Sequence, residues 1–163
     1  MAKLLSLALR KSMDMHYLFV YGTLMQGLGA PVGRYLHRHA DFVGTGWLAG
    51  TLYDLGAYPG VVHDPAAPTR VHGQVWRLHD QETVLARLDA YEGLLPEAPE
   101  SGEYRRAIVP VHCGEQILFC EVYLYNRTTA GLPTIPGGDY REFLRTANSK
   151  TRTANNKNNS YES

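Results

Sequence analysis

One acidic residue of this sequence, Glu92, lies where its surroundings could tune its affinity for a proton. It belongs to the segment Asp89–Gly93 (DAYEG), at the end of a predicted helix and beside an aromatic residue and a glycine. The negative end of a helix dipole disfavours an ionised carboxylate. Partial burial would raise its pKa into the range useful for general acid–base catalysis. A solvated glutamate with an ordinary pKa fits the same residues equally well, so both states stay open.

A second segment, Tyr21–Leu24 (YGTL), follows directly on a run predicted to be a buried strand. Gly22 would let the chain turn sharply and point successive backbone N–H groups at one spot. Such a group of donors holds a carboxylate or a developing oxyanion. An ordinary strand exit also accounts for these four residues, and by themselves they favour it.

Other kinds of site find little support. Every serine except Ser101 lies near a chain end, which argues against a serine triad. The pairs Gly27–Gly29 and Gly44–Gly46 lack the spacing of a dinucleotide fingerprint. The histidines and the two cysteines, Cys113 and Cys120, show no ligand spacing, so we predict no metal site. Two unpaired thiols are typical of a reducing compartment, and we expect a cytoplasmic protein.

Strands make up most of the predicted structure. They are β-branched and aromatic runs bounded by turns, and they lie at Tyr17–Tyr21, Asp41–Leu55, Val71–Leu78, Tyr104–His112 and Gln116–Tyr125, the last two forming a hairpin. Glycines repeated within the second run predict bulges and tight curvature, as in a small barrel. Ala57–Gly60 (AYPG) predicts a turn.

One helix is well marked, because Asp80 is a good N-cap and Gly93 a good stop. Shorter helices are predicted from Pro31 to about His39 and over Asp139–Leu144. Residues 94–102 form a predicted loop, either solvated or acting as a lid. About six strands with one to three helices predict an α+β fold with a small, curved, mostly antiparallel and barrel-like sheet.

Composition sets the domain limits. The chain has 163 residues and no net charge, and all four lysines lie near its ends. Met1–His16 is predicted to be a flexible extension, and the asparagine-rich Asn148–Ser163 a disordered tail. The domain at 17–147 holds ten arginines and fourteen acidic residues, a net charge of −4, which argues against nucleic-acid binding. No run of about 18 apolar residues is present, so no membrane-spanning helix is expected.

Five segments occur in an order that resembles the γ-glutamylcyclotransferase-like (AIG2-like) family. They are Tyr21–Leu24, Tyr58–Gly60, Val71–Trp76 (VHGQVW), Leu88–Gly93 (LDAYEG) and Tyr104–Arg105. The resemblance covers Tyr17 to about Tyr125, nearly the whole domain. It implies a small fold built round a barrel, with a cavity near the end of the first strand.

The resemblance also implies an activity and a set of site residues. The glutamate that matches the family's acid–base is Glu92, and the implied substrate-binding residues are Tyr21, Gly22, Thr23, Leu24, Pro59, Gly60 and Tyr125. A plain strand aromatic is an equal alternative for Tyr125, and a structural role is favoured for Pro59 and Gly60. Neither a metal nor an organic cofactor is implied, and the products would be 5-oxoproline and a free amine.

The chemistry suits the residues present. The α-amine of a γ-glutamyl amide is placed to close a five-membered ring, so no serine or cysteine nucleophile is required. The leading hypothesis is therefore a cyclotransferase for a small γ-glutamyl amine or peptide, with no nucleic-acid or membrane partner. The alternative is a non-catalytic ligand-binding or regulatory module on the same fold. The presence of Glu92 favours the enzyme.

Overall fold

The computed structural model describes residues 16–158, so the predicted extension lies outside the described residues except for His16. The elements, in chain order, are β1 (Tyr17–Val20), α1 (Pro31–Arg38), β2 (Ala40–Asp54), β3 (Pro59–His63), β4 (Arg70–Leu78), α2 (Gln81–Tyr91), a 3-10 turn (Pro99–Ser101), β5 (Tyr104–Cys113), β6 (Gln116–Tyr125) and α3 (Tyr140–Asn158). Within residues 16–158, no helix is long and apolar enough to cross a membrane.

The six strands form one sheet in the order β3-β2-β4-β1-β6-β5. A further pairing of β5 with β2, at Trp47 and His112, closes five strands into a barrel and leaves β3 outside it. Strands β1 and β6 run parallel, and the other pairs are antiparallel. The α+β fold class with a curved, mostly antiparallel, barrel-like sheet is confirmed.

Glycines make this closure possible. The β2–β4 register shifts between Phe42 and Gly44, where β2 carries a bulge. A Cβ atom at Gly46 would lie 2.7 Å from the His112 carbonyl oxygen, where β2 meets β5. A Cβ atom at Gly73 would lie 2.2 Å from the Val20 carbonyl oxygen. Only a residue without a side chain lets the strands approach this closely.

The core combines the barrel interior with the inner faces of the helices. Its fully buried side chains include Phe19, Leu18, Leu36, Leu48, Leu52, Leu88, Val61, Val71 and Val75. Truncating a buried leucine to alanine costs about 2–5 kcal/mol. The segments on either side of the candidate site are therefore anchored by packing.

Helix α2 forms as its caps predict. The Asp80 carboxylate accepts a hydrogen bond from the Thr83 N–H at 3.2 Å, and Gly93 has the positive φ of +68° that ends the helix. Leu88, on its inner face, is fully buried. The Arg87 guanidinium lies over the Tyr35 ring at 4.2 Å and links α2 to α1. The helix thus presents its C-terminal end to the barrel at a defined position.

Two predicted segments differ from the structure. Pro59 and Gly60, predicted in a turn, instead begin β3, and the turn closes earlier, with the Leu55 N–H bonded to the Tyr58 carbonyl at 3.0 Å. Proline has no N–H, but it is tolerated at the first position of an outer strand.

Helix α3 continues past Leu144 to Asn158, through residues predicted to be a disordered tail. The Asp139 carboxylate accepts a hydrogen bond from the Glu142 N–H at 3.1 Å and caps the helix. No glycine or proline follows Asp139 in the sequence to end it.

Candidate active site

A cavity of about 270 Å³ opens at the end of β1. It is lined by Phe19, Val20, Tyr21, Gly22, Thr23, Leu24, Tyr58, Pro59, Tyr91, Glu92, Glu103, Tyr104 and Tyr123. Glu92 and the loop Tyr21–Leu24, which are 68 residues apart at their nearest ends, therefore face the same space. The cavity lies near the end of the first strand, where the family resemblance implies one.

The loop at Tyr21–Leu24 turns immediately after β1. The Met25 N–H donates to the Gly22 carbonyl at 3.0 Å and closes the turn. A Cβ atom at Gly22 would lie 2.8 Å from Pro59 Cγ, so a glycine is required for Pro59 to pack against the loop. This close packing joins the loop to the start of β3 and forms one wall of the cavity.

Three other elements anchor the loop. The His37 ring on α1 is hydrogen-bonded through Nε2 to the Leu24 carbonyl at 2.9 Å. The Gln26 N–H donates to the side-chain oxygen of Gln74 on β4 at 2.9 Å. The Arg141 guanidinium on α3 donates to the Gln26 carbonyl. The loop is thus attached to the barrel and to both α1 and α3.

Glu92 forms the C-terminal cap of α2. Its backbone N–H donates to the Leu88 carbonyl at 2.8 Å, and its side chain is half-buried in the cavity. Burial raises the pKa of Glu92 to about 7, and the negative charge of Glu103 adds to the increase. A carboxyl group with this pKa both accepts and donates a proton near neutral pH.

Tyrosine side chains form much of the wall. The Tyr21 hydroxyl donates to the Tyr123 carbonyl, and the Tyr104 hydroxyl donates to the Pro59 carbonyl at 2.7 Å. Burial is the main cause that raises the pKa of both phenols, followed by negative charges, that of Glu92 among them. These phenols therefore remain neutral hydroxyls at physiological pH.

Asp89, on α2, accepts hydrogen bonds from two partners. The Tyr123 hydroxyl donates to it at 2.7 Å, and the Arg106 guanidinium contacts both of its oxygens at 2.9 and 3.1 Å. Arg106 also pairs with Glu121 at 3.1 Å. Such a two-point contact fixes α2 against β5 and β6. It thereby also fixes the position of Glu92, at the end of α2.

A second carboxylate, Glu103, also lines the cavity. The Tyr58 hydroxyl lies 2.9 and 3.0 Å from its two oxygens and donates to the carboxylate. Sequence reasoning missed both residues as site residues. Glu103 lies directly before the Tyr104–Arg105 motif, and that adjacency was the signal that could have pointed to it.

The cavity includes most of the predicted site residues but not all of them. Gly60 and Tyr125 are not among the lining residues. Tyr125 contacts the Tyr104 ring edge-on at 6.0 Å, and a Cβ atom at Gly60 would lie 2.9 Å from Tyr125 Cβ. Tyr123, two positions earlier and therefore on the same strand face, lines the cavity instead.

No basic side chain occurs among the described residues that line the cavity. Within residues 16–158, no group of three or more histidine, cysteine, aspartate or glutamate side chains is arranged to hold a metal ion. The absence of a cofactor stays a prediction. The arrangement supplies two carboxylates, neutral hydroxyls and the backbone of one tight turn.

Comparison with protein families gives one clear match. The model of the family described as gamma-glutamyl cyclotransferase, AIG2-like, matches residues 18–142. A Vibrio cholerae protein provisionally named a gamma-glutamylcyclotransferase is 36% identical over 127 residues, which cover 77% of this chain and 95% of that protein.

Solved structures agree on the fold. The AIG2-like protein of Mus musculus has a TM-score of 0.58 and 25% identity, with 77% of this chain and 88% of that one covered. YkqA from Bacillus subtilis has a TM-score of 0.63 and 24% identity over 82% of this chain. The match covers 42% of YkqA, so this chain corresponds to less than half of that protein.

Proposed function

The chain belongs to the gamma-glutamyl cyclotransferase, AIG2-like family, and from this premise we propose that it releases 5-oxoproline and a free amine from a γ-glutamyl amine or peptide. The observation that carries the proposal is the placement of Glu92, with its pKa of about 7, in one cavity with the Tyr21–Leu24 loop. The fold alone would not support it, because one fold hosts many functions.

The substrate supplies its own nucleophile. The α-amine of a γ-glutamyl group attacks the γ-carbonyl carbon, the C–N bond to the leaving amine breaks, and a five-membered lactam forms. Holding the two ends of one molecule together replaces a bimolecular encounter and lowers the entropic part of the barrier. The cavity of about 270 Å³ is of a size to hold the γ-glutamyl group in a folded conformation.

Glu92 transfers the protons in this mechanism. As the α-nitrogen attacks, the Glu92 carboxylate accepts a proton from it. The resulting carboxylic acid then donates that proton to the leaving nitrogen, which departs as a neutral amine. Because its pKa is about 7, Glu92 changes between the two forms at little free-energy cost near neutral pH.

The loop Tyr21–Leu24 stabilises the developing charge on the γ-carbonyl oxygen. We assign this role to the backbone N–H groups of Gly22, Thr23 and Leu24, which belong to the turn that lines the cavity. Loss of one such donor in other enzymes costs about a hundredfold to a thousandfold in rate. Close packing of Gly22 on Pro59 holds the turn before the substrate enters.

The test is turnover of γ-glutamyl amines and peptides by the full chain, with 5-oxoproline as the readout. We expect Glu92→Gln to remain folded and to lose about a hundredfold to ten-thousandfold in turnover, the usual contribution of a general acid–base group. Glu97→Gln, which changes an exposed glutamate just after α2, is the matched control and should keep full activity.

Two outcomes would contradict the proposal. Full activity of Glu92→Gln would remove the assigned acid–base from the mechanism. Failure of the folded wild-type protein to release 5-oxoproline from any member of the panel would instead favour a non-catalytic ligand-binding module on this fold.

A further inference from the structure

Two carboxylates share the cavity, Glu92 and Glu103, and the described residues that line it include no arginine, lysine or histidine. Two like charges in a partly desolvated space repel each other, so one of the carboxyl groups retains its proton more strongly. A cation that enters the space relieves the repulsion. The cavity therefore favours positively charged groups over anions.

Glu103 is held in one orientation. The Tyr58 hydroxyl lies within hydrogen-bond distance of both carboxylate oxygens, at 2.9 and 3.0 Å. Tyr58 is 37% exposed and Glu103 is half-buried, which places this pair at the open side of the cavity. Glu92, at the end of α2, lines the same cavity, and its negative charge adds to the raised pKa of the buried phenols Tyr21 and Tyr104.

The other polar groups around Glu92 do not supply a negative charge like that of Glu103. Tyrosines from each neighbouring element line the cavity, namely Tyr21 after β1, Tyr58 before β3, Tyr91 on α2, Tyr104 on β5 and Tyr123 on β6. Asp89, on α2 itself, is paired with Arg106. The positive charge of the exposed Arg127 side chain opposes the rise in the pKa of the Tyr58 phenol. Glu103, in contrast, has no basic side chain of residues 16–158 within 4.0 Å of its carboxylate.

We propose that Glu103 is a positioning residue of this site: its fixed negative charge, held by Tyr58, draws the protonated amine of the substrate into the cavity and directs that amine's proton to Glu92. The inference rests on the proposed function, because the amine is the α-ammonium of a γ-glutamyl group. A first proton leaves the ammonium nitrogen, binds a Glu92 oxygen and passes to water, while Glu103 exchanges no proton. The freed nitrogen lone pair then attacks the γ-carbonyl carbon, and the regenerated Glu92 carboxylate takes the second proton from that nitrogen and gives it to the leaving amine.

The decisive variant is Glu103→Gln, which removes the charge but retains an acceptor for the Tyr58 hydroxyl. We expect the titration midpoint of Glu92 to fall below about 7 but to stay above the ordinary glutamate range, because burial, the larger cause of the rise, remains. The acid limb of the kcat/KM profile should shift to lower pH by the same amount. We also expect KM for a γ-glutamyl amine to rise about fivefold, the upper end for a partly exposed charge contact.

Carboxyl ¹³C NMR measures the first effect without substrate. The Glu92 signal is identified by its loss in Glu92→Gln, and its midpoint is compared in wild type and Glu103→Gln. Glu103→Asp, which keeps the charge, should restore much of the wild-type midpoint, and Tyr58→Phe should lower it less than Glu103→Gln does. Glu100→Gln, an exposed charge in the preceding 3-10 turn, is the matched control and should change nothing.

The outcomes separate the two proposals. An unchanged Glu92 midpoint in Glu103→Gln, or an unchanged KM and pH profile in an active enzyme, would overturn the role of Glu103. A wild-type protein that forms no 5-oxoproline while its Glu92 midpoint still shifts in Glu103→Gln would overturn the cyclotransferase function and the substrate part of this inference. The electrostatic part would then stand by itself.

Discussion

At the residue scale, the site depends on where individual side chains lie relative to water and to one another. Glu92 occupies the end of α2, half-buried, with a second carboxylate in the same cavity. Burial first, and the charge of Glu103 second, raise its pKa to about 7. Such a group suits proton transfer but is poorly solvated when ionised, so function and stability oppose each other here.

This opposition predicts the direction in which stability changes with pH. The pKa of Glu92 rises on folding from 4.5 to about 7, so its protonated form folds without penalty and its ionised form does not. Wild-type stability should therefore fall as pH rises from about 4.5 through 7. Glu92→Gln, which never ionises, should exceed wild type in free energy of unfolding by about 1–3 kcal/mol at pH 8.

Denaturant unfolding of both proteins at pH 8 and pH 5 measures the difference. The gap should narrow strongly at pH 5, because Glu92 is then largely protonated in the folded protein and the unfolded carboxyl group, with its pKa of 4.5, is close to its titration midpoint. Glu97→Gln, with its exposed side chain, should follow wild type at both pH values. A variant that is less stable than wild type at pH 8 would show that Glu92 is solvated rather than half-buried.

At the scale of elements, the Tyr21–Leu24 loop depends on contacts from helices that do not line the cavity. Arg141, on α3, donates to the Gln26 carbonyl just after the loop, and His37, on α1, bonds the Leu24 carbonyl. Arg145, one helical turn later on the same helix, instead pairs with Glu142 at 3.1 Å and is exposed. Arg141 and Arg145 thus have different roles, since Arg141 reaches the loop and Arg145 remains on the surface.

Arg141→Ala should loosen the loop. We expect faster hydrogen exchange at the amides of residues 22–26 and about a tenfold loss of 5-oxoproline release, because small misplacements of reacting groups have large kinetic effects. Arg145→Ala, the matched change, should affect neither. Equal exchange rates in all three proteins would mean that β1 and Gln74 hold the loop without α3.

At the scale of the whole molecule, barrel closure brings the ends of distant strands to one cavity. Residues from β1, β5 and β6 line it together with the end of α2, and glycines permit the strands to approach each other closely. Gly73 is the tightest point between β4 and β1, where a Cβ atom would meet the Val20 carbonyl oxygen at 2.2 Å and the Phe19 ring at 2.7 Å.

We therefore expect Gly73→Ala to push β1 and β4 apart. The free energy of unfolding should fall by about 4 kcal/mol or more, as it does for severe backbone clashes. Gly137→Ala is the matched control, since a Cβ atom there would meet nothing within 4 Å. Chemical denaturation gives both values. A Gly73→Ala protein with the wild-type midpoint would show that the strands can separate without loss.

Much of this architecture follows from local patterns in the sequence. Asp80 and Gly93 bound α2 because capping is a property of neighbouring residues. Strand patterns also identify β5 and β6 as a hairpin. Pro59 is different: local turn propensity assigns it to a turn, whereas pairing with Asp54 on β2 places it in β3.

The sequence by itself determined the fold class, the family and the central candidate residue, because motif order and residue type are read along the chain. The tertiary structure decided which side chains share the cavity. It places Tyr123 there rather than Tyr125, although the two residues lie on the same face of β6, two positions apart. It also adds Glu103 and Tyr58, which is 45 residues away in the sequence and donates a hydrogen bond from its hydroxyl to the Glu103 carboxylate. Burial and long-range proximity arise only when the barrel closes, and they govern the charge on Glu92.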